Sequence, residues 1–473
     1  MSATKTDIVI VGAGTAGLSA LREIRDRTDD FILINDGFYG TTCARVGCMP
    51  SKTLIAAANA FHERRKFGTF GIHGAEGLTV DIPAVLARVR ALRDEFVSGV
   101  LEATADLGIR NIAGRARLDG PNRVRVGDRL IEARQIILAP GSSPIVPAPW
   151  RVLGSSIITT DSLFEQADLP RRIGVIGLGA IGAEISQALA RLGLEVHAFG
   201  GGGRIAGARD EKVAAVVQDA LSDEFAVYPD AKADLALAKD GGVDISWDGG
   251  HVTVDKVLVA IGRRPNIDGL GLETLGVPLD DKGMPEIDPA TMRIGDTPVY
   301  LAGDANADVP LLHEGTDEGH IAGINATGTK PVPLERRTPL SIVFCDPEVA
   351  AVGRRADTLD PKETIVGEVS YDNQGRARTM QVNRGLLRLY ARKSDGRLLG
   401  AEMAAPAAEH MAHLLALAIG QNLTVHDLLR MPFYHPTLEE GLRTALRRLS
   451  RQMPPCSVSD LARCKPLNVD ALE

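Results

Sequence analysis

Cys43 and Cys48 stand close together in Gly40-Thr41-Thr42-Cys43-Ala44-Arg45-Val46-Gly47-Cys48-Met49-Pro50-Ser51-Lys52. Thiols exchange with disulfides through their thiolates, so two cysteines in one short segment are candidates for that chemistry. On a regular helix, residues at this separation are too far apart and too far rotated to be bridged, although Gly47 can supply the distortion a bridge needs. Two unrelated buried thiols are the alternative, and they leave Thr42, Gly47, Pro50, Ser51 and Lys52 without a reason for their offsets. Near the other end of the chain, Tyr434-His435-Pro436-Thr437-Leu438-Glu439-Glu440 sets a carboxylate one helical turn or so beyond a histidine. Histidine is the side chain that titrates nearest neutral pH and so the usual general base. The following proline predicts an extended His435. Thr437 and Glu440 also read as a helix capping box, T-x-x-E, so one carboxylate has two claims on it.

Phosphate binding is the second chemistry these residues suggest, and it brings in the elements around them. Ile8-Val9-Ile10-Val11 runs into Gly12-Ala13-Gly14-Thr15-Ala16-Gly17, and Leu18, Leu21 and Ile24 then take helical spacing. Gly174-Val175-Ile176 runs likewise into Gly177-Leu178-Gly179-Ala180-Ile181-Gly182, followed by Ile185, Leu189 and Leu192 on the same face as Ile181. In G-x-G-x-x-G the glycines allow a tight turn, close approach to a pyrophosphate and close helix–strand packing, and the helix N-terminus offers N–H groups to the phosphates. One such motif is a weak signal, and two Gly-rich turns in a sheet protein are the alternative. Two motifs, each in strand–turn–helix context, predict two dinucleotides, a flavin and a nicotinamide that exchange hydride equivalents. The strand after each motif should end in a carboxylate for the adenosine ribose. Here Phe31-Ile32-Leu33-Ile34 ends at Asn35 and Asp36, and Val196-His197-Ala198-Phe199 ends at Gly200. Asn35 and Gly200 stand at the same offset from Gly12 and Gly177. An amide still hydrogen-bonds a hydroxyl, whereas Gly200 offers nothing, so NAD and NADP are both left open.

Length and composition bound the rest. A chain of 473 residues suggests about three domains. Net charge is −8 with no basic tract, which argues against nucleic-acid binding. No apolar run is long enough for a membrane span, and the polar N-terminus does not read as a signal peptide. Five cysteines in such a length make no disulfide framework, and no spacing suits a metal. A cytoplasmic protein fits these features.

The segment around the two cysteines resembles the G-[GT]-[TV]-C-x-x-x-G-C-x-P-[SK]-K signature of the dihydrolipoamide dehydrogenase and glutathione reductase family, the class I pyridine nucleotide-disulfide oxidoreductases. The resemblance continues to about residue 450. Val299-Tyr300-Leu301-Ala302-Gly303-Asp304 is similar to the family's second flavin motif, whose Asp contacts the ribityl chain. Val257 to Asn266, with Gly262, resembles the strand returning from the nicotinamide domain. Ile136 to Ser142, with Gly141, resembles the A-T-G-S turn, Pro140 standing where Thr is usual. Ser341 to Ala350 resembles the opening strand of an interface domain.

The resemblance implies an α/β fold of two Rossmann-like dinucleotide-binding domains, for FAD and NAD(P), plus a C-terminal α+β dimerisation domain. Its boundaries would be 1–147 for FAD, 148–268 for the nicotinamide, 269–335 for a central part completing the FAD site, and 336–473 for the interface. Cys43 and Cys48 become the redox-active pair, with Cys48 against the flavin and Thr42 and Lys52 beside it. Lys52 is implied to pair with Glu184. His435 becomes the acid/base, oriented by Glu440 and contributed by the partner of an obligatory homodimer. FAD contacts would come from Gly12, Gly14, Gly17, Asn35, Asp36, Gly141, Gly303 and Asp304, and nicotinamide contacts from Gly177, Gly179, Gly182, Gly200 and Gly262. The substrate implied is dihydrolipoamide on a lipoyl-bearing carrier, with NAD as acceptor, because small Ala180 is nearer that pattern than a gating tyrosine. The rival is an NADPH-dependent reductase of a small disulfide or a metal ion. Cys345 reads as buried and inert. Cys456 and Cys464, in a tail that departs from the family pattern, suggest at most an extra thiol relay.

Overall fold

The computed structural model describes residues 3–202, 204–239 and 241–453, so Cys456 and Cys464 lie outside the described residues. The chain forms two compact units, each assembled from three stretches. One comprises Met1–Leu54, Asp81–Leu169 and Ile261–Arg336, and the other Ile55–Val80, Pro170–Ala260 and Arg337–Glu473.

In the first unit, the run Ile8–Val11 is buried on both faces, as a strand inside a parallel sheet must be. The strand Thr4–Val11 lies between Phe31–Asn35 and Arg129–Leu138, parallel to both, with Val9 opposite Ile32 and Ile136. Asn111–Ala113 extends one side of the sheet, and Val299–Leu301 pairs with the end of Arg129–Leu138, again in parallel. Gly12 and Gly303 therefore emerge at the carboxyl ends of the two parallel strands that pair with Arg129–Leu138, an end of the sheet where open α/β folds bind ligands. The helix Thr15–Arg25 buries Ala16, Ala20, Leu21 and Ile24 against this sheet.

The second unit repeats the device. Arg172–Ile176, the helix Ala180–Arg191 and Glu195–Phe199 form a strand–turn–helix–strand unit, with Ala226–Tyr228 and Lys256–Val259 as further parallel neighbours. Ile185, Leu189 and Leu192 are buried as their spacing predicts, but Ile181, in the first turn, is 38% exposed. From Leu340 the pattern becomes an antiparallel sheet in the order Leu340–Val343, Glu348–Gly353, Leu398–Ala405, Leu386–Arg392, Thr364–Ser370. The helix Glu440–Ser450 lays Leu442, Leu446 and Leu449 into the core on that sheet. Among the described residues, no helix is long and apolar enough to cross a membrane.

Candidate active site

The helix carrying the cysteines is broken where the glycine sits. Thr42–Val46 is one short helix and Cys48–His62 another, and Gly47 between them takes φ −119° and ψ −114°. A Cβ there would lie 2.9 Å from the Thr42 carbonyl oxygen, so a side chain would push the two helices apart. The break turns Cys43 back towards Cys48, and both are free thiols, joined by a hydrogen bond. That bond is the main reason the Cys43 thiol is held far above its ordinary pKa; burial and the negative charge at Cys48 add to it, and the Lys52 ammonium opposes it. The turn entering this segment is strained: Thr41, not glycine, takes φ 52° and ψ 149°, in a region that costs a non-glycine residue about 1–3 kcal/mol. Its hydroxyl accepts from the Ala44 amide at 3.2 Å, which caps the first helix. Thr42 is exposed beside it, and Ser51 donates to the Cys48 carbonyl at 3.0 Å.

The two Gly-rich turns pass a test of what their glycines are for. Gly12 has φ +105°, and a Cβ on Gly17 would lie 1.9 Å from the Gly12 carbonyl oxygen. In the second unit Gly177 has φ +103°, and a Cβ on Gly182 would lie 1.7 Å from the Gly177 oxygen. These four positions are demanded by the turn and by helix–strand contact. The middle glycines differ: a Cβ on Gly14 or Gly179 would meet nothing within 4 Å. Both are N-caps without a side-chain hydrogen bond, each opening a helix of at least eleven residues. A side chain there would fill only the space before the helix N-terminus, the place a pyrophosphate takes. The residues thus fit a dinucleotide in each unit, as an FAD-binding pyridine nucleotide oxidoreductase needs.

Asn35 spends its amide internally, accepting from Ala13 N–H at 3.0 Å and donating to the Gly37 carbonyl at 3.3 Å, while Asp36 is exposed next to it. Gly200 has an internal cause. A Cβ there would lie 2.1 Å from the Pro229 carbonyl oxygen, beside a cluster of Phe199, Tyr228 and Trp247 with ring centroids 4.7–5.1 Å apart. Any side chain at this position would have to displace that backbone.

Asp304 is built into a chain of contacts within the first unit. Ser142 donates to its carboxylate at 2.6 Å, and Arg263 donates to the Ser142 hydroxyl at 2.8 Å and to its carbonyl at 2.6 Å. Glu318, 1% exposed, accepts from the Gly303 amide at 2.7 Å and from Asn306 at 2.8 Å, with Arg336 at 3.1 Å. Burial raises the Glu318 pKa despite these bonds. Gly141 and Gly262, at φ +69° and +118°, turn beside it, and the Asn266 side chain donates to the Pro140 carbonyl at 2.9 Å. Sequence reasoning singled out none of Arg263, Glu318 and Arg336 as site residues. Their partners are distant in the chain, and a buried glutamate in a helix has no local signature.

His435 and Glu440 come together. Nδ1 of the ring lies 3.1 Å from both carboxylate oxygens, and Glu440 also accepts from the Thr437 amide at 3.2 Å. A carboxylate accepts only, so Nδ1 carries the proton and Nε2 is left as the base. Burial pushes the Glu440 carboxyl up, but the bonds from His435 and Thr437 hold it below the usual carboxylate range. The capping box is only half formed: the helix starts at Glu440, not after Thr437, and the Thr437 hydroxyl donates to the Tyr434 carbonyl at 2.9 Å instead of capping. The two claims on the carboxylate are therefore both met. The His435 side chain is 80% exposed. Glu184, 6% exposed in the second unit, accepts from the Phe344 amide at 2.8 Å; Lys52, half buried, belongs to the first. Cys345 is buried, donates to the Pro347 carbonyl at 3.3 Å and has its pKa pushed up by burial, so it is inert. Among the described residues, no cluster of three or more potential ligands could hold a metal.

Known proteins match this arrangement along the whole chain. Residues 6–319 match the pyridine nucleotide-disulphide oxidoreductase family, and residues 340–446 match that family's dimerisation domain. The dihydrolipoyl dehydrogenase of Geobacillus stearothermophilus is 30% identical over 93% of this chain and 95% of its own. The mercuric reductase of Acidithiobacillus ferrooxidans is also 30% identical, over 95% of this chain and 84% of its own. The crystal structure of LpdA from Mycobacterium tuberculosis superposes with a TM-score of 0.81 at 27% identity, covering 94% of this chain and 99% of its own. With a dithiol on a broken helix and two Gly-rich dinucleotide turns, the chain belongs to the FAD-binding pyridine nucleotide-disulphide oxidoreductases, as a dihydrolipoamide dehydrogenase-like member.

Proposed function

We propose that this chain oxidises dihydrolipoamide, carried on a protein, with NAD as the acceptor, as a cytoplasmic homodimer. Residues 1–147 would hold FAD, 148–268 the nicotinamide, 269–335 the rest of the flavin site, and the remainder the subunit interface. The observation that carries this reading is the cysteine pair itself, brought into hydrogen-bond contact by the break between two helices at Gly47. Nε2 of His435 takes a proton from one substrate thiol. The thiolate attacks Sγ of Cys43 in the Cys43–Cys48 disulfide and expels Cys48 as thiolate, at a helix N-terminus that favours negative charge on the leaving group. The second substrate thiol then displaces Cys43, which leaves with a proton, so the substrate loses two electrons and the pair gains them. Glu440 keeps Nδ1 protonated and Nε2 facing the thiols throughout. FAD, held by the first unit, would supply the two-electron chemistry that links the dithiol to a nicotinamide.

A second reading, an NADPH-dependent reductase of a disulfide or metal ion, is favoured by Gly200, which supplies no carboxylate to repel a 2′-phosphate. Steady-state turnover with dihydrolipoamide, glutathione disulfide and mercuric ion, each with both nicotinamides, separates the two. We expect kcat/KM to be highest for dihydrolipoamide with NAD. Faster NADPH-driven reduction of either oxidant would replace this reading with the second.

A further inference from the structure

We propose that Asp357 supplies the negative charge that the end of the strand Glu195–Phe199 lacks, and so makes this chain select the nicotinamide dinucleotide with a free ribose 2′-hydroxyl. The inference rests on the reading that the turn Gly177–Gly182 binds a dinucleotide. Gly200 stands where a ribose-binding acid would, and the chain then passes through Arg204 and Arg209. This stretch runs beside the phosphate turn, since the Ala206 amide donates to the Leu178 carbonyl at 2.8 Å. Two guanidiniums in that place would by themselves welcome a 2′-phosphate.

They do not stand by themselves. Asp357 accepts from Arg209 on both oxygens, at 3.2 and 3.3 Å, and lies 3.6 Å from Arg204. Its position is fixed by Glu402, which is 1% exposed. One oxygen of Glu402 accepts from the Arg209 and Asp210 amides at 2.9 and 3.1 Å, and the other accepts from the Ala356 amide at 3.0 Å. A single buried carboxylate thus binds the turn bearing Asp357 to the stretch bearing the arginines. Arg355, 3.8 Å from Glu402, offsets that buried charge, which leaves Asp357 to act on Arg204 and Arg209. A 2′-phosphate would have to draw Arg204 away from Asp357 and then sit near its carboxylate, whereas a hydroxyl meets neither cost. Asp357 lies far along the sequence from the strand whose missing acid it replaces, which is why no local motif reveals it.

The test uses isothermal titration of the full-length holoenzyme with 5′-AMP and with adenosine 2′,5′-bisphosphate. Wild type should bind 5′-AMP at least as tightly as the bisphosphate. Asp357→Asn should raise the affinity for bisphosphate relative to 5′-AMP roughly fivefold or more at low ionic strength, the scale of an exposed charge contact, with unchanged far-UV circular dichroism and flavin content as evidence of an intact fold. Adding Arg204→Ala to Asp357→Asn should abolish the gain. An unchanged ratio in Asp357→Asn, or a wild type that already favours the bisphosphate, overturns the proposal while leaving the dinucleotide site standing. Failure of both ligands to bind would remove the dinucleotide reading, and this proposal with it.

Discussion

At the scale of single residues, the two cysteines are chemically unequal although they belong to one turn. The hydrogen bond from Cys48 pushes the Cys43 pKa up, and Cys48 is the first residue of a fifteen-residue helix whose N-terminus favours negative charge. We therefore predict that reduced enzyme shows a long-wavelength thiolate-to-flavin charge-transfer band which survives in Cys43→Ser and disappears in Cys48→Ser. The reverse pattern in the absorption spectrum would exchange the two roles. This pair was legible in the sequence because everything that shapes it is local: Gly47, Thr41 and Ser51 all act within a few residues of the sulfurs. His435 and Glu440 were legible for the same reason. Glu318, Arg263 and Glu402 were not, because each does its work on backbone amides or side chains that only the fold brings near, such as the Gly303 amide for Glu318.

At the scale of elements, apolar runs such as Ile8–Val11 announced their strands, and the two Gly-rich turns announced the helices after them. The start of the helix Glu440–Ser450 was less plain, because a T-x-x-E pattern does not say which of its two halves will form. Asp210 was invisible for a different reason: it reads as an ordinary N-cap. It does cap the helix Glu211–Ser222, accepting from Lys212 and Val213 amides at 3.0 and 3.3 Å, but it also takes Arg388 at 2.6 and 2.7 Å and the Tyr390 hydroxyl at 2.8 Å. Burial raises its carboxyl pKa, and the bonds from Arg388 and Tyr390 outweigh this and lower it overall. A depressed folded-state pKa contributes stability above the unfolded value and loses it as the pH falls towards the folded one. Asn caps as well as Asp does, so Asp210→Asn should remove the ion pair alone and cost about 1–3 kcal/mol at neutral pH, with Asp210→Ala costing about 1 kcal/mol more. Urea unfolding followed downwards in pH should show the gap between wild type and Asp210→Asn narrowing below the ordinary aspartate range. A gap independent of pH would show that the charge at Asp210 contributes nothing.

At the scale of the whole molecule, the histidine we propose as general base is exposed on its own chain. The His435 side chain is 80% exposed and Tyr434 next to it is 82% exposed, although a base for thiol exchange works in a site that excludes water. Residues 340–446, which include His435, match the family's dimerisation domain, so a second copy is the natural source of cover. We predict that His435 serves the cysteine pair of the partner subunit, and mixed dimers can show it. Cys48→Ser and His435→Gln homodimers should each be nearly inactive with dihydrolipoamide, the latter by about 10²–10⁴-fold, the usual contribution of a general base. Unfolded together and refolded, they form hybrids in which one site carries both defects and the other carries neither. With random pairing about half of the dimers are hybrid, and half of the sites in each are intact, so the mixture should regain about one quarter of wild-type activity, as two-fold symmetry requires. If each subunit used its own histidine, every site in every dimer would keep a defect, and the refolded mixture would stay as inactive as its parents.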